Sequence, residues 1–163
     1  MQVLPYPQTM RVNAFSEVAL RVLILLAAAP AVPGSDVMKS KALAVGVATP
    51  YHHVAKIVTR LRELELIEVT RGRTGGVRIS SAGRLATVGS VLRALETRTD
   101  VANCETSTGV CPLIDGCGLR AALGRARNTF YAELDDVVIS SLAHPRQLAP
   151  MLPALGSSSI PVS

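Results

Sequence analysis

The chain has 163 residues, enough for one domain or one domain with a tail. Its 48% hydrophobic content excludes disorder of the whole chain, and 12 glycines with only three cysteines exclude collagen-like and disulfide-scaffold classes. Only 3% of residues are aromatic and none is Trp, so the core has to be aliphatic, and a formal net charge of +5 suggests a polyanionic partner.

Residues 1–9 hold two prolines and no periodic pattern, and read as a flexible leader. Residues 14–29 form the first helix: Phe15, Val18, Ala19, Val22, Leu25 and Leu26 recur at three- and four-residue steps, with Asn13 as N-cap and Pro30 as stop. This segment superficially looks like a secretion signal. Glu17 and Arg21 stand where such a signal is uncharged, and the apolar run from Val22 to Ala29 is far short of the roughly 20 residues a bilayer span needs. The reading is therefore a cytoplasmic protein without a membrane partner.

After a turn at 30–36, Asp36 caps a short second helix over about 37–45. Thr49 as N-cap and Pro50 at the first helical position open a third, running to about Leu66, with Val54, Ile57, Val58, Leu61 and Leu64 as its apolar stripe. Two β-prone runs, 67–70 and 77–80, flank RGRTGG at 71–76 and predict a hairpin. A fourth helix is expected over 81–97 with Leu85, Val88, Val91, Leu92 and Leu95 inward, and a long fifth over 118–141. Between them, residues 98–117 lack periodicity and hold every cysteine. From 143 onward, four prolines and the Ser157–Ser159 run predict a disordered tail.

Helix, short helix, helix, hairpin is the order of a winged helix-turn-helix, so the fold class is mainly α with a small β-hairpin wing, followed by a long C-terminal helix. Residues 10–97 are the winged domain. Residues 49–84 alone carry +4 of the net charge. Opposite the apolar stripe, the third helix presents Thr49, His52, His53, Lys56 and Arg60, which offer donors for base edges and cations for phosphates, and Tyr51 adds a hydroxyl. Arg71 and Arg73, flanked by glycines at the wing tip, suit a narrow minor groove. His52 and His53 are also of a type that ligates metals; on a helix already assigned to DNA they are read as groove contacts.

The cysteines are Cys104, Cys111 and Cys117, spaced C-x6-C-x5-C. A reducing compartment and an odd number argue against disulfides, and the C-x2-C knuckle of many zinc sites is absent. Three thiolates with one missing partner suit an iron–sulfur cluster. No histidine lies between residues 54 and 143, which leaves an oxygen ligand: Asp100, Glu105, Asp115 or a carboxylate from elsewhere. A hard oxygen on a soft cluster is a weak, displaceable ligand, which suits a sensor better than an electron carrier.

The stretch MRVNAFSEVALRVLILLA (10–27), the segment TPYHHVAKIVTRLRELELIEVTRGRTGGVRIS (49–80) and the three-cysteine loop together resemble the iron–sulfur winged-helix transcription regulators of the NsrR/IscR type, the Rrf2 family. The resemblance covers residues 10–142, and the GRTGG wing and cysteine loop are its most specific parts. The missing histidine brings it closer to the nitric-oxide-sensing repressors than to the IscR branch. It implies a cluster held by Cys104, Cys111 and Cys117 in the 98–117 loop, of [4Fe–4S] type, although three ligands also accommodate [2Fe–2S]. It further implies a fourth ligand from the first helix of the other subunit, at a position where the family pattern has aspartate and this chain has Glu17.

A ligand crossing between subunits requires a homodimer. Independently, Leu119, Leu123, Ala126, Phe130, Leu134, Val137 and Ser141 recur at steps of four and three along the fifth helix, a seam suited to dimerisation over 118–142. A two-fold dimer predicts double-stranded DNA with an inverted-repeat operator, half-sites about one helical turn apart. The expected function is a repressor that nitric oxide releases from DNA by nitrosylating the cluster. The nearest alternative is a regulator of iron–sulfur assembly or redox state of the IscR type; a small electron-transfer protein is the alternative from another class. An enzyme is not expected, because G-x-S-x-G, P-loop and H-E-x-x-H motifs are absent.

Overall fold

The structure, a computed structural model, describes residues 12–31, 36–96, 105–106 and 109–154. The expected leader (1–9), Asp100, Cys104 and the tail beyond residue 154 lie outside them.

Asn13 caps α1 (Ala14–Ala28) as expected: its side chain accepts the backbone N–H of Ser16 at 2.8 Å. α1 runs through the middle of the fold, with Val22, Leu23 and Leu26 fully enclosed. Around them close Met38, Leu43, Val54, Ile57, Leu61, Leu92 and Ile139, an aliphatic core as the composition requires.

α2 (Ser40–Gly46) and α3 (Tyr51–Glu63) form the helix-turn-helix. The turn between them is tighter than the expected cap. Ala48 adopts a positive φ of 49°, Thr49 N–H bonds back to Ala44 O at 3.0 Å, and the Thr49 hydroxyl donates to Val47 O at 3.1 Å. Pro50, not Thr49, is the N-cap of α3, because the Thr49 hydroxyl is spent on the turn.

β1 (Ile67–Thr70) and β2 (Gly76–Ile79) pair antiparallel, with Ile67 opposite Ile79 and Thr70 opposite Gly76. The connector needs Gly72 at a φ of 105°, which only glycine adopts readily. Ahead of α2, Met38 exchanges two hydrogen bonds of 2.8 Å with Val77, so the wing is fastened along its outer edge to the start of the helix-turn-helix.

The expected helix over 81–97 is broken into α4 (Ser81–Leu85) and α5 (Val88–Leu95). The backbone at 86–88 is taken by a distant segment: Val88 N–H donates to Val137 O at 2.8 Å and Ile139 N–H to Ala86 O at 2.9 Å. Thr87 then restarts the helix through a capping box with Ser90. Leu85, expected inside, is left 76% exposed. The same pairing ends α6 (Gly118–Asp135) six residues before the expected 141.

β3 (Glu105–Thr106) and β4 (Gly109–Val110), two residues each, pair antiparallel in the loop before α6, where no periodicity suggests strands. The C-terminal half of α6 lies on α5. Arg93 reaches Asp135 with two bonds of 2.5 and 2.6 Å and sits 5.0 Å over the Tyr131 ring. The disordered tail expected from 143 is corrected over its first part. Residues 145–154 form a 3-10 segment packed on α1 and α2, because Leu148 is fully buried there. Gln147 secures its start, accepting from His144 N–H at 2.7 Å and donating to Leu142 O at 3.1 Å.

Candidate nucleic-acid interface and metal-ligating cysteines

α3 turns Val54, Ile57, Val58 and Leu61 inward, and successive 100° steps then fix what faces out. Tyr51, His52, His53 and Lys56 are all exposed, and the two imidazole rings stand edge to face at 4.3 Å. Thr59, on the same outer face, is a polar position the sequence reading passed over. Thr49 is half-buried at the turn. Arg60 has partners within the chain: its guanidinium donates to Ala94 O at 3.2 Å and pairs with Glu63 at 3.2 Å. The carbonyl end of α5 attracts the cation, so Arg60 joins α3 to α5. It lines an open cleft of about 930 Å³ between α3, the start of α1 and the end of α5.

At the wing, Arg71 and Arg73 are exposed and form no ion pair among the described residues, whereas Arg78 is held by Glu68 at 2.5 Å. Exposed cations on α3 (Lys56, Arg62) and at the wing tip (Arg71, Arg73) thus stand on the two parts of a winged helix that meet a duplex, while others, Lys41 and Arg125 among them, lie elsewhere on the surface.

Of the cysteines, Cys111 and Cys117 lie among the described residues, in the segment that leads into α6. Cys111 and Cys117 are half-exposed free thiols. The Cys111 carbonyl accepts Ile114 N–H at 3.1 Å, and Gly116, with a φ of 75°, turns the chain into α6. Cys117 is the N-cap of α6, and its sulfur accepts the backbone N–H of Arg120 at 3.4 Å. The β3–β4 register sets Glu105 opposite Val110, the chain neighbours of Cys104 and Cys111. Donor chemistry and spacing thus fit a thiolate-held metal centre. Glu17 is exposed in the first turn of α1, with Arg21 at 2.5 Å. Among the described residues no three His, Cys, Asp or Glu side chains converge on one point, so one chain does not bring Glu17, Cys111 and Cys117 together, nor does it build a metal site from His52 and His53.

Tyr131, at the α5–α6 contact, has its hydroxyl pKa raised above the usual phenol value, chiefly by burial and then by a hydrogen bond with Glu96. Arg93 holds the Asp135 carboxyl below the usual carboxylate range. The Arg93–Asp135 pair joins the helix that follows the cysteines to α5.

No helix among the described residues is long and apolar enough to cross a membrane. The chain is 39% identical over 133 residues to the HTH-type transcriptional repressor NsrR of Streptomyces coelicolor, covering 82% of this chain and 88% of that one. It is 33% identical over 138 residues to the HTH-type transcriptional regulator NsrR of Geobacillus kaustophilus, covering 84% and 92%. The fold is similar to the oxidized form of Staphylococcus aureus CymR, with a TM-score of 0.61 at 21% identity over 83% of this chain and 97% of that one. It is likewise similar to T. potens IscR, with a TM-score of 0.59 at 16% identity over 97% of each. The Rrf2 family, described as iron-dependent transcriptional regulators, matches residues 12–145, and the chain belongs to that family.

Proposed function

We propose that the chain is a cytoplasmic, nitric-oxide-responsive repressor that binds an inverted-repeat operator as a homodimer and whose grip on DNA depends on an iron–sulfur cluster. The observation that carries this reading is the placing of Cys117 as the N-cap of α6, the helix clamped to the DNA-binding domain through Arg93 and Asp135. Sequence likeness to two repressors or regulators named NsrR supports the signal.

Tyr51, His52, His53 and Lys56 enter the major groove, and Arg71 and Arg73 reach the flanking backbone or minor groove. Thr49 and Arg60 also serve the turn and the α3–α5 junction. Cys104, Cys111 and Cys117 hold the cluster, of [4Fe–4S] type, and Glu17 of the partner subunit completes it. A bound cluster supplies iron, for which nitric oxide is a strong ligand. The exposed Leu119 and Leu123 on the first half of α6 supply apolar surface for the twin helix. α6 bears on α5, and α1 packs on both α5 and α3. A shift at the α6 N-terminus therefore reaches the reading helix through three packed helices. A tenfold loss of DNA affinity requires only about 1.4 kcal/mol of such coupling.

Native mass spectrometry of anaerobically isolated protein tests the assembly. The expected result is a dimer carrying four irons and four sulfides per subunit, with the cluster lost in Cys104→Ser, Cys111→Ser and Cys117→Ser. A metal-free monomer refutes it.

A further inference from the structure

Lys39 occupies a place that ordinary helix chemistry does not explain. It is the N-cap residue of α2, yet its side chain makes no capping bond, and a cation at a helix N-terminus opposes the helix dipole. Its ammonium instead crosses to the wing, where it donates to the Arg73 carbonyl at 2.9 Å and to the Gly75 carbonyl. The paired bonds between Met38 and Val77 bring residue 39 alongside the wing turn.

The turn itself has little to hold it. Gly72 sits at a positive φ in open space, and among the described residues the turn's one internal backbone bond is Gly75 N–H to Gly72 O at 3.2 Å. We propose that Lys39 is the positioning residue of the wing: its ammonium, seated on the Arg73 and Gly75 carbonyls, fixes the Arg71–Gly75 turn so that Arg71 and Arg73 reach DNA together with α3. The inference rests on the reading of the wing as a DNA contact and adds a residue outside both the reading helix and the wing. Two of the three ammonium protons are used on carbonyls, so the role is geometric, not that of a phosphate contact.

The test measures the affinity of the anaerobically isolated full chain for a mixed-sequence duplex of about 30 base pairs, roughly three helical turns, across a salt series. Lys39→Met is expected to weaken binding about tenfold and to flatten the log–log salt slope by about 1.8, the share of two phosphate contacts, because both wing arginines disengage. Lys39→Arg, which keeps donors for the two carbonyls, is expected to restore binding to within about twofold. In an Arg71→Ala/Arg73→Ala background, Lys39→Met is expected to cost nothing further.

A slope change of about 0.9 that persists in that background identifies Lys39 as a direct phosphate contact and overturns the proposal. So does unchanged binding by Lys39→Met where the double arginine variant is impaired. If the double arginine variant itself binds normally, the wing reading fails, and the role of Lys39 with it. Because Lys39 is exposed, the variants are expected to fold, and the melting temperature of each checks it.

Discussion

Replacing Gly89 by alanine tests how closely α6 is bound to the DNA-binding domain. A β-carbon at this position comes within 2.7 Å of the Tyr131 backbone carbonyl and also strikes the Asp135 carboxylate. An ordinary C···O approach is about 3.4 Å, so α5 and α6 have to separate by roughly 0.7 Å. The carboxylate can swing away only by breaking its paired bonds to Arg93. Overpacking of this kind costs about 1–3 kcal/mol, and alanine returns about 0.8–1 kcal/mol through its helix propensity. The net expectation is a loss of up to about 2 kcal/mol, or a melting temperature lower by up to about 6 °C in a chain of this size, against a rise for the control below. Gly124→Ala on α6 is the control: nothing lies within 4 Å of the new β-carbon, so only the propensity gain remains and the melting temperature rises. Differential scanning calorimetry of the two variants beside the parent decides the matter. If Gly89→Ala is as stable as Gly124→Ala, the α5–α6 crossing is not in close contact, and the path from the cysteines to the reading helix loses its first link.

Leu148→Ala removes a fully buried side chain and should cost about 2–5 kcal/mol in urea unfolding, whereas a disordered segment would give no change. Ala48→Gly relieves the positive φ in the helix-turn-helix and is expected to stabilise the fold by about 0.5–1 kcal/mol; a destabilised variant would mean that the turn favours the alanine. The acid limb of stability follows from Asp135, whose carboxyl pKa is lowered in the fold by Arg93. Its contribution is complete above the unfolded value near 3.8 and is lost as pH falls through the lower folded value. Melting curves of Asp135→Asn and the parent should therefore converge toward low pH, and a gap that stays constant from neutral pH to pH 3 (roughly one unit below the ordinary value) would contradict the pairing.

What local pattern determines was legible in the sequence. The Asn13 cap, the apolar stripe of α3 and the two-glycine hairpin each depend on neighbours a few residues away, and each was read correctly. The break at Ala86–Thr87 was not, because it depends on hydrogen bonds from Val137 and Ile139, some 50 residues downstream. A still greater separation, about 100 residues or more, hides Leu148, an isolated apolar residue among prolines that packs on α1 and α2. At the interface, the periodicity of α3 placed His52, His53 and Lys56 on the outer face, and with them Arg60, whose long side chain reaches back to Ala94. Thr49 fitted a cap by residue type and instead bonds within the turn. Lys39 carried no signal, since its partners lie 34 and 36 residues away. For the metal centre, the cysteine spacing suggested the chemistry, and the structure adds that Cys117 caps a helix, a fact that residue type alone does not contain.

The most direct measurement is operator binding by the anaerobically isolated dimer, with iron content followed in the same sample as nitric oxide is added. The account predicts that the iron-loaded protein occupies its operator and that affinity falls at least tenfold over the stoichiometric range in which the iron reacts. Colourless, iron-free protein that grips the same operator equally well, before and after nitric oxide, would contradict it.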